Sequence, residues 1–219
     1  MDEFRAKLIA RLGEGDKRVP YRVACFEACI PRSFWAVSAE DVTYNLDVFN
    51  GVIKKYVRRW RRALLRGYSL LLMGDNGCGK SMFVSYVLSQ MAKRGCSVYY
   101  TTLAQLDLDI KRGFSDARAE VRLNDLLQSD FLVIDEVGKE HYRDDSYLNT
   151  RLELLLKTRY DDANPTILAT NLDYDTLIKM YGPTIASMLE GKYQAALMES
   201  GDFRKSVATR MKTEMGFDE

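Results

Sequence analysis

A glycine-rich segment followed directly by lysine and serine has the residue types needed to bind phosphate groups. It reads Gly74-Asp75-Asn76-Gly77-Cys78-Gly79-Lys80-Ser81 and fits G-x-x-x-x-G-K-[ST] at every fixed position. The glycines let the backbone curve so that its N–H groups point at one anion. Lys80 would reach the β- and γ-phosphates, and the Ser81 hydroxyl would ligate Mg²⁺. We therefore predict that these eight residues, together with Met82, bind the phosphate chain of a nucleotide.

Two adjacent acids could complete a hydrolytic site around those phosphates. They end the apolar segment "FLVIDE" at positions 131–136, which predicts a buried strand with Asp135 at its carboxyl end. Asp135 is predicted to hold Mg²⁺, mostly through water. Glu136 is predicted to orient and deprotonate the attacking water. The competing interpretation is an ordinary acid pair on the surface at the end of a strand.

A third polar side chain follows the apolar segment "TILATN" at positions 166–171. The amide of Asn171 could hydrogen-bond a γ-phosphate or the attacking water without carrying a charge. The alternative is that Asn171 caps a helix that begins near Leu172 and Asp173, because asparagine is a favoured N-cap residue. We predict the phosphate-sensing role, since the strand, the order and the spacing agree.

The elements that must position these residues alternate between short apolar strands and amphipathic helices. The predicted strands are 68–73, 97–101, 131–135, 166–170 and 193–198. The predicted helices are 1–12, 52–65, 80–94, 103–112, 119–128, 146–160, 173–181, 184–190 and 203–215. This rhythm predicts an α/β fold with a five-stranded parallel sheet and helices on both faces.

Composition narrows the class of protein. The chain has 219 residues, 47% of them hydrophobic and 29% charged, as is typical of a globular protein. No apolar run approaches the roughly 18–20 residues that span a bilayer, and the first residues lack the apolar core of a signal peptide. We therefore expect a cytoplasmic protein with four free cysteines. The net charge of +1 does not by itself indicate an anionic partner.

One predicted helix is strongly basic. It contains seven cations and no acid between positions 54 and 66: Lys54, Lys55, Arg58, Arg59, Arg61, Arg62 and Arg66. Apolar side chains at three- and four-residue spacing occupy one face, so most of the cations share the other. Such a face could bind the phosphate backbone of DNA, and that binding should weaken steeply with salt. It could equally be a solvated face, or one that pairs with acids of a neighbouring subunit.

In this order, the phosphate loop, the Asp-Glu strand end and the Thr-Asn strand end resemble the AAA+ ATPases. The chain resembles in particular the DnaC-type helicase loaders and the IstB-type transposition ATPases. Four further stretches carry the likeness, which covers roughly residues 28–206: "ACIPRSFW" near the start, "VIDEVGKE", "KTRYDDANPTILATN" and "SGDFRKS" near the end.

The resemblance implies an ATPase that binds ATP with Mg²⁺ and loads a replicative helicase onto single-stranded DNA. It implies a short N-terminal extension (residues 1–30), an AAA+ ATPase core (31–200) and one C-terminal helix as a minimal lid (201–219). It also implies assembly into a homo-oligomer in the ATP state, and Arg204 could sense the γ-phosphate in its own subunit or reach a neighbouring one. The small size fits a phage or mobile-element version.

The chain departs from the family pattern in two places. Only about 30 residues precede the match, too few for a separate helicase-binding domain with its own core. In addition, Met188 stands where the family has the arginine that reaches a neighbouring subunit's nucleotide. Arg159 or Arg151 could substitute, and an arginine finger can change the rate by about 10³–10⁵. We therefore expect slow hydrolysis by the isolated protein.

Other functions remain open at this stage. The first alternative is an IstB-like transposition regulator that forms filaments on duplex DNA. A small-molecule kinase would share the phosphate loop, but it usually has an arginine-rich mobile lid in place of the two polar strand ends seen here. A module that binds ATP without hydrolysing it is compatible with the missing finger.

Overall fold

The computed structural model describes residues 2–13, 16, 18–113, 116–139, 146–199, 201 and 203. Within these ranges the chain forms one sheet of five parallel strands: β1 (Ser69–Met73), β2 (Val98–Thr102), β3 (Phe131–Val137), β4 (Thr166–Thr170) and β5 (Tyr193–Leu197). Their order across the sheet is β2-β3-β4-β1-β5. The five predicted strands and the α/β class are therefore confirmed, with strand ends that differ by at most two residues.

Helices connect the strands and precede the first of them. Before β1 lie α1 (Asp2–Leu12), α2 (Arg18–Glu27), the single turn α3 (Leu46–Val48), α4 (Lys54–Arg58) and α5 (Trp60–Arg66). After β1 come α6 (Lys80–Ala92), α7 (Leu103–Arg112), α8 (Ala117–Gln128), α9 (Ser146–Asp161), α10 (Tyr174–Tyr181) and α11 (Pro183–Lys192). The predicted C-terminal helix, and with it the minimal lid, lies outside the described residues.

The core consists of two apolar clusters, one on each face of the sheet. Alternate residues of a strand point to opposite faces, so Leu70 and Leu72 of β1 belong to one cluster and Leu71 and Met73 to the other. The first cluster is completed mainly by α6 and by the segment before β1, and the second by α7 to α11. Strands covered on both faces read as continuous apolar runs, which is why β1, β3 and β4 were evident from the sequence.

The sequence predicts the basic segment as one helix over 52–65, but the structure divides it into two helices, α4 and α5. It is preceded by α3 and a π-helical turn (Phe49–Ile53), and it breaks at Arg59, whose φ of −100° and ψ of 21° separate α4 from α5. The Arg59 N–H donates to both the Lys55 and the Tyr56 carbonyls, at 3.1 and 3.0 Å. Hydrophobic periodicity continues through the break, so the sequence pattern did not reveal it.

The region before residue 31 packs against the core. Cys25 and Ala28 belong to the first apolar cluster, and the Ala28 carbonyl accepts a 2.8 Å hydrogen bond from the Tyr100 N–H at the outer edge of β2. The division between an extension (1–30) and a core (31–200) remains a prediction. No helix in the described part of the chain is long and apolar enough to cross a membrane.

Candidate nucleotide-binding site

The phosphate loop joins the carboxyl end of β1 to the first residue of α6. Its glycines, Gly74, Gly77 and Gly79, have φ values of 147°, 86° and 101°, which side-chain-bearing residues rarely adopt. A Cβ atom at Gly79 would lie 2.3 Å from the ring of Tyr44. The loop therefore needs glycine at position 79 both for its backbone conformation and for this close approach.

Lys80, the first residue of α6, lies against this loop. Its Nζ donates to the carbonyls of Gly74 and Asp75, at 2.6 and 2.8 Å. The side chain is 7% exposed, and burial lowers the pKa of its ammonium group. Cys78, which is fully buried, places its Sγ 3.7 Å from the same ammonium. The positive charge is thus fixed at the inner side of the glycine loop.

Asp135 lies in β3 with 2% of its surface exposed. One carboxylate oxygen accepts from the Tyr100 hydroxyl at 2.7 Å, and the other accepts from the Glu136 N–H at 2.8 Å. Burial, followed by the charge of Asp135, raises the pKa of the Tyr100 hydroxyl, so it donates to the carboxylate as a neutral phenol. Each carboxylate oxygen has a second lone pair that remains available to metal-bound water.

Glu136 has a φ of +63°, a conformation that costs a non-glycine residue of order 1–3 kcal/mol. It falls where the pairing of β3 with β4 is irregular, between Ile134 and Val137. Its carboxylate is partly exposed and forms an ion pair with Lys139. The bulge turns Glu136 away from the alternation of the strand, and such strained positions are common at functional sites.

Asn171 is brought to the phosphate loop. Its Nδ2 donates to the Asn76 Oδ1 at 3.0 Å. The alternative capping role falls to Asp173, whose carboxylate accepts from the Thr176 N–H at 2.7 Å at the start of α10. Thr170, the residue before Asn171, is buried, and its hydroxyl donates to the Val137 carbonyl at 2.6 Å. This bond joins the ends of β3 and β4 beside the loop.

These residues suit a magnesium–nucleotide complex. Since β1 neighbours β4 and β4 neighbours β3, the carboxyl ends of the three strands present the loop, Asn171 and Asp135 at one edge of the sheet. The Ser81 hydroxyl is half-buried and makes no hydrogen bond to any described residue. A hydroxyl and a buried carboxylate are hard oxygen ligands of the kind that Mg²⁺ prefers.

Comparison of the sequence with known protein families identifies the family of this chain. The model of the IstB-like ATP binding protein family matches residues 64–189, which is more than half of the chain. The chain belongs to that family. The match begins in α5, before the phosphate loop, and ends in α11, so it contains the loop, both acids and Asn171.

Curated relatives of this IstB-like chain include a replicative helicase loader and an ATP-binding protein of an insertion sequence. The replicative helicase loader DnaC of Escherichia coli K12 is 29% identical over 119 residues, covering 53% of this chain and 48% of DnaC. An IS21-like ATP-binding protein of an insertion sequence in Bacteroides fragilis is 29% identical over 101 residues, 43% of this chain and 51% of the relative. The chain thus spans about half the length of the curated relatives it matches.

Solved structures show that the fold is that of AAA+ proteins. The crystal structure of the DnaC helicase loader superposes with a TM-score of 0.68 at 19% identity, covering 77% of this chain and all of that one. The replication initiator DnaA bound to AMPPCP and single-stranded DNA gives a TM-score of 0.65 at 16% identity, covering 85% of this chain and 56% of DnaA.

The arginines proposed as fingers in this IstB-like protein have different outcomes. The prediction for Arg159 is wrong, because its guanidinium is fully buried and donates to acceptors within its own subunit. Arg151 is half-buried and lies over the Tyr147 ring at 5.0 Å, and its role stays a prediction. Arg204 lies outside the described residues. Met188 is buried in the second apolar cluster.

Three residues that the sequence analysis missed support the site. Tyr44 covers Gly79, and its hydroxyl donates to the Met82 sulfur at 3.3 Å. Asn45 donates to the Cys78 carbonyl at 3.1 Å, and Tyr100 donates to Asp135. Tyr44 and Asn45 come from an irregular segment more than 25 residues before the loop, and no spacing rule links them to it. Tyr100 could have been suspected from its strand, which directly follows α6.

Proposed function

We propose that this protein is an ATP-hydrolysing AAA+ protein that loads a replicative helicase onto single-stranded DNA, in a phage or mobile-element version. The observation that carries the proposal is the meeting of the phosphate loop, the Asp135–Glu136 pair and Asn171 at one edge of the sheet. The relationship to DnaC supports the loader role. Assembly into a homo-oligomer with ATP and a cytoplasmic location are part of the proposal.

Each site residue has a role in this proposal. The loop N–H groups and Lys80 bind the phosphates, while Ser81 and Asp135 hold Mg²⁺. Mg²⁺, when bound, neutralises charge on the phosphate oxygens. Glu136 orients and deprotonates the attacking water, and Asn171 contacts the γ-phosphate or that water. Arg204 senses the nucleotide.

Hydrolysis should be slow in the isolated protein. Met188 is apolar and buried, and Arg159 is held inside its own subunit, so neither can act on a neighbour's nucleotide. We propose that an arginine of a partner protein, or Arg151 or Arg204 of a neighbouring copy, completes the site. A partner that supplies the arginine should accelerate phosphate release by about 10³-fold or more.

The decisive test of the enzyme is Glu136→Gln, with Lys80→Ala as the companion variant. Glu136→Gln should lower the rate of phosphate release by about 10²–10⁴ while ATP still binds, because only the base is lost. Lys80→Ala should weaken ATP binding itself, measured by calorimetry. The proposal fails if Glu136→Gln releases phosphate at the wild-type rate, or if Lys80→Ala binds ATP with undiminished affinity.

An IstB-like transposition function is the second candidate, favoured by the family match and by the relative from an insertion sequence. Electron microscopy with a non-hydrolysable ATP analogue on single-stranded and duplex DNA separates the two. Ordered filaments on duplex DNA without a helicase would indicate transposition. Co-purification of a replicative helicase from the host, dependent on the nucleotide, would indicate loading.

A further inference from the structure

A groove of about 580 Å³ lies at the other end of β1 from the phosphate loop. One wall is formed by the basic segment α4–α5, which contributes Lys55, Arg59 and Arg62. The opposite wall is formed by the end of α11 and the start of β5. Because the groove reaches Leu70 and the loop begins after Met73, the two sites are separated by most of the length of the strand, roughly 10 Å.

The groove carries only positive charge. No acid is among its lining residues in the described part of the chain. Lys55, Arg59 and Arg62 are exposed, and none of them forms an ion pair with a described residue. Lys192 is the fourth cation, and its Nζ donates to the Tyr160 carbonyl at 2.8 Å. Three of the four cations are therefore available to an anionic ligand.

The three available cations lie on both sides of the break at Arg59. Lys55 belongs to α4, Arg59 is at the break and Arg62 belongs to α5, and all three line the same groove. The other exposed arginines of the segment, Arg58, Arg61 and Arg66, do not line the groove. The seven cations of the basic segment thus fall into three groups. Three cations line the groove and three arginines lie outside it. The seventh cation, Lys54, lies over the Phe49 ring at 5.1 Å.

Aromatic side chains complete the lining. Tyr68 is 44% exposed, and Tyr56 and Tyr193 lie in the groove beside it. Burial raises the pKa of Tyr193 to about 12, so its phenol is neutral at physiological pH and adds no negative charge. The Tyr56 hydroxyl donates to the Tyr68 carbonyl at 2.7 Å, which fixes the wall of the groove next to the exposed ring.

We propose that this groove binds the sugar-phosphate backbone of single-stranded nucleic acid, with a base stacked on Tyr68. A cationic groove with aromatic faces is the arrangement that single strands require. The exposed ring of Tyr68 favours a single strand over a duplex, because the bases of a duplex are already stacked on one another and are not free to stack on a side chain. The proposal deepens the proposed function by giving the single strand its binding surface, and it rests on that function only for the choice of DNA.

The test compares two triple variants by fluorescence anisotropy with a labelled oligo(dT) across a salt series. Lys55→Gln, Arg59→Gln and Arg62→Gln combined should reduce the salt slope by about 2, since each single-strand phosphate contact contributes about 0.7. The matched control, Arg58→Gln, Arg61→Gln and Arg66→Gln, removes the same charge from the same segment and should change the slope by less than about 0.7. Tyr68→Ala should weaken binding by roughly 5- to 150-fold without changing the slope.

Several results would overturn the proposal. Equal losses in the two triple variants would mean a diffuse cationic surface. An unchanged slope in the groove variant would place the strand elsewhere. Polyglutamate serves as a probe for an acidic protein partner. If the groove variant loses binding to polyglutamate but keeps binding to oligo(dT), the groove binds an acidic protein instead. If the groove triple does not fold, the single variant Arg62→Gln must still lower the slope by about 0.7.

The same variants separate this proposal from the ATPase. Because the groove is remote from the loop, all of them should bind ATP as the wild type does. If the wild-type protein hydrolyses ATP but does not bind oligo(dT), the groove proposal alone is contradicted. If the wild-type protein binds oligo(dT) but shows no hydrolysis that depends on Glu136, the enzymatic proposal is contradicted and the groove proposal is not affected.

Discussion

Arg159 shows how a single charged residue can be structural in a nucleotide-binding protein. Its guanidinium is 0% exposed, and burial lowers its pKa to about 10, so it is still protonated at neutral pH. It forms no ion pair among the described residues. Instead it donates to the Thr166 hydroxyl and to the carbonyls of Leu126, Leu127, Ser129 and Pro165. It thereby joins the end of α8 to the start of β4.

Replacing Arg159 should therefore affect stability before activity. Arg159→Met should lower the free energy of unfolding by at least about 3 kcal/mol, because several buried carbonyls lose their donor. Arg159→Lys should recover only part of this loss, since an ammonium cannot reach acceptors on both sides. Urea unfolding measures both variants, with the half-buried Arg151→Ala as the control. A variant with wild-type stability but lost hydrolysis would contradict the structural role.

At the scale of elements, the segment before β1 holds the phosphate loop in place. Asn45 links three parts of the chain, because its amide donates to the Cys78 carbonyl and accepts from the Glu199 N–H, at 3.1 and 2.8 Å. Its φ of +48° is one that asparagine tolerates better than most residues. Tyr44 beside it stacks on Phe203, with ring centroids 3.9 Å apart.

Two substitutions at position 45 separate its hydrogen bonds from its backbone conformation. Asn45→Gly should cost about 1–2 kcal/mol of unfolding free energy and weaken ATP binding, because the Cys78 carbonyl and the Glu199 N–H lose their partner. Asn45→Ala should cost about 1 kcal/mol more, since alanine is strained at positive φ. Urea unfolding and calorimetry with ATP provide the measurements. Equal stability of the two variants would mean that the backbone conformation at this position is unimportant.

At the scale of the whole molecule, the sheet separates two sites. The phosphate loop, the acids and Asn171 lie at the carboxyl ends of the strands, and the basic groove lies near the amino ends of β1 and β5. Both ends are supported by tyrosines: the buried Tyr100 beside Asp135 at one, and the partly buried Tyr56 and Tyr193 at the other. Stability therefore depends on phenols that must stay neutral.

This dependence predicts instability at high pH. Burial raises the pKa of Tyr21, Tyr56, Tyr99, Tyr100 and Tyr193 above the ordinary value of 10.0. Their contribution is complete below pH about 10 and is lost above it, because the unfolded chain releases these protons first. Each can contribute up to about 1.4 kcal/mol per pH unit. Unfolding followed by phenolate absorbance should become easier above pH 10, and less steeply so in Tyr193→Phe.

Part of this architecture is determined by short stretches of sequence. The strands β1, β3 and β4 have runs of three or four apolar residues because both of their faces are covered, and a loop with three glycines before Lys80 has few other uses. Asp135 and Glu136 follow the apolar run of β3, and Asn171 directly follows β4. Parallel strands present their carboxyl ends at one edge, so these positions could be anticipated without coordinates.

What only the tertiary structure decided depends on contacts between distant segments. Arg159 reads as an exposed helix residue, and its burial follows from the approach of α8 and β4. The break at Arg59 leaves the hydrophobic periodicity unchanged, so the groove beside it could not be inferred from the basic segment alone. Asn45 and Tyr100 support the site across 33 and 35 residues of chain. Local patterns encode which residue types are present, whereas packing decides which of them meet.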